Sequence, residues 1–179
     1  MIGGSDAGAH LAAITVIRAR KSAPQVKITG QIIIVPILIS EPDETIPEAW
    51  KAMLKSHIEM ADAPVMSKAL IQRNLATLGV PDAEKRKGEN FPVWADLKGL
   101  PPAYLAMDEC DPIRDDGFLY EKLLSDAGVR TRVDFYKGLP NMFVQFPQLS
   151  TTARAGMELA AGIRWLLELN TYFDRYQGK

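Results

Sequence analysis

The spacing of hydrophobic and polar positions changes repeatedly along the chain between a helical period and runs typical of strands. Leu11, Ile14 and Ile17 recur at helical spacing within residues 7–21, so the pattern predicts a largely buried helix there. The segment Gln31–Val35 contains a continuous β-branched run without alternation. Such a run is typical of a strand in a parallel sheet that helices cover on both faces.

The rest of the chain continues this alternation of helices and strands. Residues 41–81 are helical in character and end at Gly79 and Pro81, which are common stop signals. The further predicted elements are a short strand at 103–107, a helix at 116–127, a strand at 130–136 and a final amphipathic helix around 159–167. The strand at 130–136 alternates, which indicates that one of its faces is open to water. This order predicts one α/β domain over residues 1–179, with half of a doubly wound, mainly parallel sheet.

Composition and charge narrow the classes of partner. The chain has 179 residues, is 47% hydrophobic and carries a net charge of -1, which suits one globular domain. A balanced charge gives no reason to expect nucleic acid or an anionic membrane surface as a partner, and the apolar runs are too short to span a bilayer. Cys110 is the single cysteine, so we expect no internal disulfide and a cytoplasmic location. We expect no cofactor and no metal.

The segment Gly3–Ala12 contains the clearest chemical motif. Gly4 and Gly8 bracket Asp6, and a helical apolar pattern follows at once. This is the frame of a nucleophile elbow, a sharp strand-to-helix turn in which a Cβ at either glycine is expected to clash with a neighbouring element. The residue at the apex is Asp6, and the serine stands one place earlier, at Ser5.

Two later segments support a family resemblance. Residues 110–117 read Cys-Asp-Pro-Ile-Arg-Asp-Asp-Gly, and residues 136–143 read Tyr-Lys-Gly-Leu-Pro-Asn-Met-Phe. Together with the elbow, they resemble the hormone-sensitive-lipase-like branch of the α/β-hydrolase fold, especially its fungal esterase-like members. The resemblance extends over nearly the whole chain and implies a truncated α/β-hydrolase, with Met1 and Ile2 ending the fifth strand of the complete fold.

The resemblance also implies roles for individual residues. Asp6 stands at the nucleophile position, Asp111 at the acid position and Asn141 at the position of the catalytic histidine. The backbone N–H of Ala7 is implied as an oxyanion donor, and residues 41–81 as a lid over a pocket for a small ester-like molecule. The strand-three loop that supplies the other oxyanion donors does not occur in this sequence.

These substitutions predict weak or absent hydrolysis of carboxylic esters. In a Ser-His-Asp hydrolase the imidazole takes a proton from the nucleophile and returns it to the leaving group. An amide such as that of Asn141 does not accept a proton near neutral pH. Asp111 alone therefore leaves the proton transfer without a carrier.

Four alternatives remain open. Asp6 could act as a carboxylate nucleophile, as in dehalogenases and epoxide hydrolases of this fold, with His10 or His57 as the base. Ser5 could be the nucleophile, although it is expected to face into the fold because successive side chains point in opposite directions. The chain could be a working hydrolase that acts on an ester or polyketide-type intermediate in fungal secondary-metabolite (toxin) biosynthesis. A longer chain could also supply the first strands and the oxyanion loop.

Three structural expectations complete the sequence analysis. His10 follows Asp6 by one helical turn, and we expect it to pack or hydrogen-bond beside the elbow. Asp115 and Asp116 are expected to cap the N-terminus of the helix at 116–127. Without preceding strands, Gln31–Val35 is expected to be an exposed edge through which the chain self-associates.

Overall fold

A parallel sheet forms the centre of the fold. The computed structural model describes residues 1–40 and 42–176, and this part of the chain contains four strands: β1 (Ile2–Ser5), β2 (Gln31–Ile34), β3 (Ala103–Cys110) and β4 (Thr131–Pro140). Their order in the sheet is β1-β2-β3-β4, and every neighbouring pair is parallel. The predicted mainly parallel sheet is confirmed.

Helices connect the strands and cover the sheet. They are α1 (Ala7–Ser22), α2 (Glu48–Lys51), α3 (Ser56–Glu59), α4 (Lys68–Leu78), α5 (Arg114–Asp126) and α6 (Ser150–Tyr176). Three single 3₁₀ turns lie at Asp82–Glu84, Pro92–Trp94 and Phe143–Gln145. No helix within residues 1–40 and 42–176 combines the length and the apolar character needed to cross a membrane.

The hydrophobic core has a layer on each face of the sheet. Buried side chains of α1 and α5, such as Ile17 and Leu119, pack with Ile33 of β2 in the larger layer. The second layer joins Tyr104 of β3 to Leu166 of α6. Helices on both faces explain why the β2 run is continuously apolar, since neither face of an interior strand meets water.

The edge of the sheet differs from the prediction. β2 pairs with β1 from Ile2↔Gln31 onward and with β3 from Gln31↔Ala103 onward, so it is an interior strand. The expectation that Gln31–Val35 forms an exposed edge is therefore wrong. The four residues Ile2–Ser5 supply enough backbone to pair its open side, and among the described residues β1 is the end strand of the sheet.

The last strand is also covered more fully than its alternation suggested. Thr131–Phe135 of β4 are all half-buried. Arg132 donates a hydrogen bond to the Ala161 carbonyl of α6, and Asp134 accepts one from the Tyr104 hydroxyl at 2.7 Å. The polar face of β4 therefore lies partly against α6 and Tyr104, and it is less exposed than the predicted wet face. In α1, Leu11 is 61% exposed, whereas Ile14 and Ile17 are buried as predicted.

The segment 41–81 forms three separate helices. Glu41, its first residue, lies outside the described residues. Leu54 is buried in the larger core layer, and Met66 and Ile71 pack with Ile37 and Ile113 in a small cluster of their own. α4 ends at Gly79 in the left-handed conformation, as predicted. The single-domain boundaries 1–179 stay a prediction, because residues 177–179 also lie outside the described part.

Candidate active site

Asp6 forms the apex of a sharp turn between β1 and α1. Its backbone has φ 54° and ψ -121°, a conformation that is strained for any residue with a side chain and costs about 1–3 kcal/mol. Its N–H donates to the Ile34 carbonyl at 2.9 Å, and its own carbonyl accepts the N–H groups of Ala9 and His10 at 3.0 and 3.2 Å. The turn therefore ties the end of β1 to β2 and to the first turn of α1.

Gly4 explains why this turn needs small residues. A Cβ on Gly4 would lie 2.4 Å from the backbone carbon of Gly8, so the expected clash at Gly4 is confirmed. A Cβ on Gly8 would meet nothing within 4 Å, and the expected clash there is wrong. The two positions differ because the backbone of Gly8 is the obstacle for Gly4, while the Cβ direction of Gly8 points into open space.

The Asp6 carboxylate lies in a partly desolvated place. Its Oδ1 atom is buried and has no hydrogen-bond partner. Burial raises the pKa of Asp6, and the Ala7 backbone N–H, which favours the ionised form, offsets only part of this effect. The N–H implied as an oxyanion donor therefore interacts with the side chain at the apex.

Asp111 and Asn141 are brought together by the ends of β3 and β4. The Asn141 Nδ2 atom donates to Asp111 Oδ2 at 2.8 Å, and the Ile113 N–H donates to Asp111 Oδ1 at 3.0 Å. Asp111 is fully buried and Asn141 is 1% exposed. Burial raises the pKa of Asp111 to about 6 against the effect of these two donors, and the negative charges of Asp116 and Asp6 raise it further.

Backbone strain is concentrated at the same edge of the sheet. Val35 and Met142 have positive φ values of 41° and 53°, immediately after β2 and shortly after β4. Asp6 occupies the equivalent place after β1. The carboxyl ends of parallel strands are where α/β sheets place their sites, and strained residues cluster at such sites. The structure therefore brings Asp6, Asp111 and Asn141 to one edge.

Both imidazole rings of the chain form hydrogen bonds with partners other than the Asp6 carboxylate. The Nδ1–H of His10 donates to the Ile37 carbonyl at 2.6 Å, and its ring packs edge-on against Phe91. Burial lowers the pKa of His10. The expectation that His10 packs and hydrogen-bonds beside the elbow is confirmed.

His57 forms a buried pair with Asp116, with Nε2 2.7 Å from Oδ1. Burial alone would lower the pKa of His57, but the attraction and hydrogen bond of Asp116 outweigh it and raise the pKa. His10 and His57 are the two histidines of the sequence, and neither is a partner of the Asp6 Oδ1 atom.

Asp115 and Asp116 do not cap α5, so that expectation is wrong. The N-cap position is Ile113, and no side chain caps the helix. Asp116 Oδ2 accepts the N–H groups of Leu38 and Ile39 at 2.9 and 3.3 Å, and Asp115 Oδ2 accepts the Ser56 N–H at 2.7 Å. The backbone amides of Leu38 and Ile39 after β2, and of Ser56 at the start of α3, are buried and need acceptors, and this need outweighs local capping.

One buried acid was missed by the sequence reasoning. Asp108 lies in β3 and is 3% exposed, and the backbone amides of Met142 and Phe143 favour its ionised form. Burial, with the neighbouring charge of Asp111, raises the pKa of Asp108 to about 7. The available signal was a carboxylate placed directly after the apolar run 103–107. Within the described residues, no group of three His, Cys, Asp or Glu side chains is arranged to hold a metal ion.

The fold is that of an α/β-hydrolase. A sequence model of the family described as alpha/beta hydrolase fold matches residues 1–145. The chain therefore belongs to the α/β-hydrolase family and is esterase/lipase-like, as the three sequence segments indicated.

Fungal proteins are among the similar sequences. The chain is 30% identical over 171 residues to versiconal hemiacetal acetate esterase of Dothistroma septosporum, covering 93% of this chain and 50% of that protein. It is also 30% identical over 168 residues to an AB hydrolase superfamily protein of Schizosaccharomyces pombe, covering 93% of this chain and 48% of the relative. The chain thus spans about half the length of the curated relatives it matches.

Solved structures support the same assignment. A vibralactone cyclase matches with a TM-score of 0.84 and 31% identity, over 93% of this chain and 49% of that one. A hyperthermophilic esterase from Pyrobaculum calidifontis matches with a TM-score of 0.74 and 30% identity, over 92% of this chain and 50% of that one.

Proposed function

We propose that this chain is an esterase-family protein that binds a small ester-like molecule at the elbow edge but hydrolyses carboxylic esters weakly or not at all. The observation that carries the proposal is the 2.8 Å hydrogen bond from Asn141 Nδ2 to Asp111 Oδ2. In this proposal Asn141 holds the base position, Asp111 the acid position and Asp6 the nucleophile position.

The proton chemistry supports this proposal. An acyl-enzyme cycle needs a group that accepts a proton from the nucleophile and later donates it to the leaving group. The Asn141 amide cannot accept that proton, and it already uses its N–H to satisfy Asp111. In such triads, loss of the nucleophile or the base lowers turnover on the order of 10⁶-fold.

The negative charge of Asp6 at the apex of the elbow also disfavours ester hydrolysis. Ester hydrolysis develops a negative charge on the carbonyl oxygen, and backbone N–H groups aimed at that oxygen stabilise it. Here the Ala7 N–H interacts with the Asp6 carboxylate. An ionised Asp6 would therefore repel the developing oxyanion and compete for its donor.

Initial rates with p-nitrophenyl acetate and butyrate test the catalytic half of the proposal. We expect the parent to be no faster than its Asp6→Ala and Asn141→Ala variants. Saturable turnover by the parent that either substitution abolishes would contradict the proposal. Saturable turnover that appears only in an Asp6→Ser/Asn141→His double variant would support a pocket that is intact and lacks its proton carrier.

The proposed binding of an ester-like molecule is tested with an analogue that the protein is not expected to hydrolyse. We expect the amide N-(4-nitrophenyl)butanamide to shift the NMR signals of the Asn141 side-chain amide in a saturable way. An exposed amide, that of Asn74 in α4, serves as the control. No saturable shift at Asn141 would contradict binding at this edge.

A second candidate function is a hydrolase-like enzyme that acts on an ester or polyketide-type intermediate in fungal secondary metabolism. The similarity to versiconal hemiacetal acetate esterase favours it, as does the strained Asp6 apex with an unpartnered oxygen. Intact-mass spectrometry during turnover of aryl acetates distinguishes it, because a carboxylate nucleophile would form an acetyl–Asp6 mixed anhydride with release of the phenol, and water would then release acetate. Turnover without an acetyl adduct on Asp6 would contradict that route.

We also propose self-association through an exposed strand edge, which the pairing of Gln31–Ile34 on both sides moves from β2 to β1. Ile2–Ser5 pair with β2 on one side only among the described residues. Light scattering of the parent and of an Ile2→Lys variant, which places a charge on the edge, tests it. A monomer at every concentration would contradict the proposal. The single cysteine keeps the cytoplasm as the proposed location.

A further inference from the structure

A cavity lies on the face of the sheet opposite α1 and reaches the elbow edge, where Ser5 and Met142 are among its lining residues. Its volume is about 320 Å³, and Asp6, Asp111 and Asn141 are not among its lining residues. The sheet contributes one face of side chains to its lining: Ser5, Ile34, Tyr104, Ala106, Asp108 and Tyr136. The helical side is formed by residues of α6, including Ala155 and Leu159, and by the loop with Met142 and Phe143.

The register of the sheet explains this lining. Ser5 pairs with Ile34, and Ile34 pairs with Ala106, so these three side chains point to the same face. Asp108 lies two residues after Ala106 and points to that face as well. Ser5 therefore faces the cavity, while Asp6 next to it forms the elbow. The expectation that Ser5 faces into the fold agrees with this placement.

The size and chemistry of the lining suit a small amphipathic molecule. Cavities of about 150 Å³ hold benzene, and ligand pockets begin near roughly 300 Å³. Most lining side chains are aliphatic or aromatic, and the Tyr104 hydroxyl is already used as a donor to Asp134. None of the described residues that line the cavity is Lys, Arg or His, and Asp108 is the one acidic residue among them.

We propose that this cavity is a second ligand site, which binds an aromatic or aliphatic ammonium compound with its cation on the Asp108 carboxylate and its apolar body against Tyr136 and Leu159. A buried acid in an apolar cavity favours a cationic ligand, because opposite charges attract strongly where water is excluded. The site does not include Asp6, Asp111 or Asn141, so it does not depend on the function proposed for these three residues.

The surroundings of Asp108 support a cationic ligand. Burial and the charge of Asp111 together raise the pKa of Asp108 to about 7, so its ionised form lacks a compensating positive charge. On the loop side, the backbone amides of Met142 and Phe143 favour the ionised carboxylate but carry no full positive charge. A bound ammonium would supply the missing charge from the cavity side.

Calorimetric titration at pH 8 with three ligands of one shape tests the proposal. The probes are naphthylmethylamine, the neutral naphthylmethanol and the anionic naphthoate. We expect the amine to bind about ten-fold more tightly than the alcohol, because a hydrogen bond to a charged group is the stronger kind, and naphthoate to bind least. Equal affinity for amine and alcohol, or binding of none of the three, would overturn the proposal.

Two variants locate the site. Asp108→Asn should bring the amine and the alcohol to similar affinity, whereas the matched substitution Asp62→Asn, at an exposed acid, should keep the preference. Ala155→Leu should weaken all binding by filling part of the cavity. An amine preference that survives both Asp108→Asn and Ala155→Leu would overturn the proposal. If Asp108→Asn does not fold, the ligand series and Ala155→Leu still decide it.

Discussion

The side-chain amide of Asn141 donates a hydrogen bond to the fully buried carboxylate of Asp111, and the two atoms are 2.8 Å apart. This pair joins the ends of β3 and β4 at the edge that holds the elbow. It satisfies one Asp111 oxygen, while the Ile113 N–H satisfies the other. The pair therefore contributes to stability whether or not the edge performs chemistry.

Replacing Asn141 with leucine should destabilise the protein. Asn141→Leu leaves a buried carboxylate oxygen without its donor, which costs about 1–3 kcal/mol of unfolding free energy. Urea unfolding at pH 8 measures the change, with Asn74→Leu on the exposed face of α4 as the control, expected within about 0.5 kcal/mol of the parent. Equal losses in the two variants would contradict the structural role of the pair.

The two glycines of the elbow should respond in opposite directions to alanine. Gly4→Ala places a Cβ 2.4 Å from the Gly8 backbone, and overpacking of this kind costs about 1–3 kcal/mol. Gly8→Ala meets nothing within 4 Å and lies in α1, where alanine is favoured over glycine by up to about 1 kcal/mol. Thermal or urea unfolding of both variants measures the difference. A neutral Gly4→Ala would show that the elbow is wider than described.

Asp116 should be the most sensitive acid of α5. Asp116→Ala removes the acceptor of the Leu38 and Ile39 amides and leaves His57 without its partner, and breaking a buried pair costs about 3–5 kcal/mol. The control is Asp126→Ala, which removes an exposed pair with Lys122 and should cost less than about 1 kcal/mol. Hydrogen exchange should accelerate at Leu38 and Ile39 in the first variant only. Unchanged exchange at these amides would contradict the assignment.

Asp108 should make the protein less stable as the pH rises from about 4 to about 7. Burial raises its pKa to about 7 in the folded state, against about 3.9 in an unfolded chain. Within that window the folded state keeps a proton that the unfolded state has lost, so the unfolding free energy falls as pH rises, by up to about 1.4 kcal/mol per pH unit.

Urea unfolding at several pH values should therefore give a shallower decline for Asp108→Asn than for the parent. The pKa values of Asp111 and His57 are also raised, so the unfolding free energy of the variant should still fall to some extent as the pH rises. The exposed substitution Asp62→Asn should leave the parental slope unchanged. If the unfolding free energy of Asp108→Asn fell as steeply with pH as that of the parent, Asp108 would not be the group that holds the proton.

Local patterns predicted the elbow and the type of sheet well. The small residue at Gly4 is a local steric requirement of the elbow, although the same requirement predicted at Gly8 is absent. The β-branched run at β2 indicates that both faces of the strand are covered. The position of β2 in the sheet depends on pairing with β1, which is only four residues long, and no periodicity reports it. Exposure of Leu11 likewise depends on which helix face meets the sheet.

The polar network was less predictable than the fold. Asp115 and Asp116 have the local signature of a helix cap, yet amides more than fifty residues away in sequence use them as acceptors. Asp108 was missed because nothing in its sequence neighbourhood indicates that Met142 and Phe143 return to its side. Tertiary contacts decide which distant backbone amides need a side-chain acceptor, and the periodicity of the sequence does not show them.

The most direct test of the central claim is intact-mass spectrometry of the protein during incubation with p-nitrophenyl butyrate. With Asn141 paired to Asp111 and without an imidazole at the apex, the account predicts an unmodified parent. It also predicts p-nitrophenol release no faster than from an Asp6→Asn variant. A butyryl adduct on Asp6 or Ser5 that forms and decays at the rate of steady turnover would contradict it.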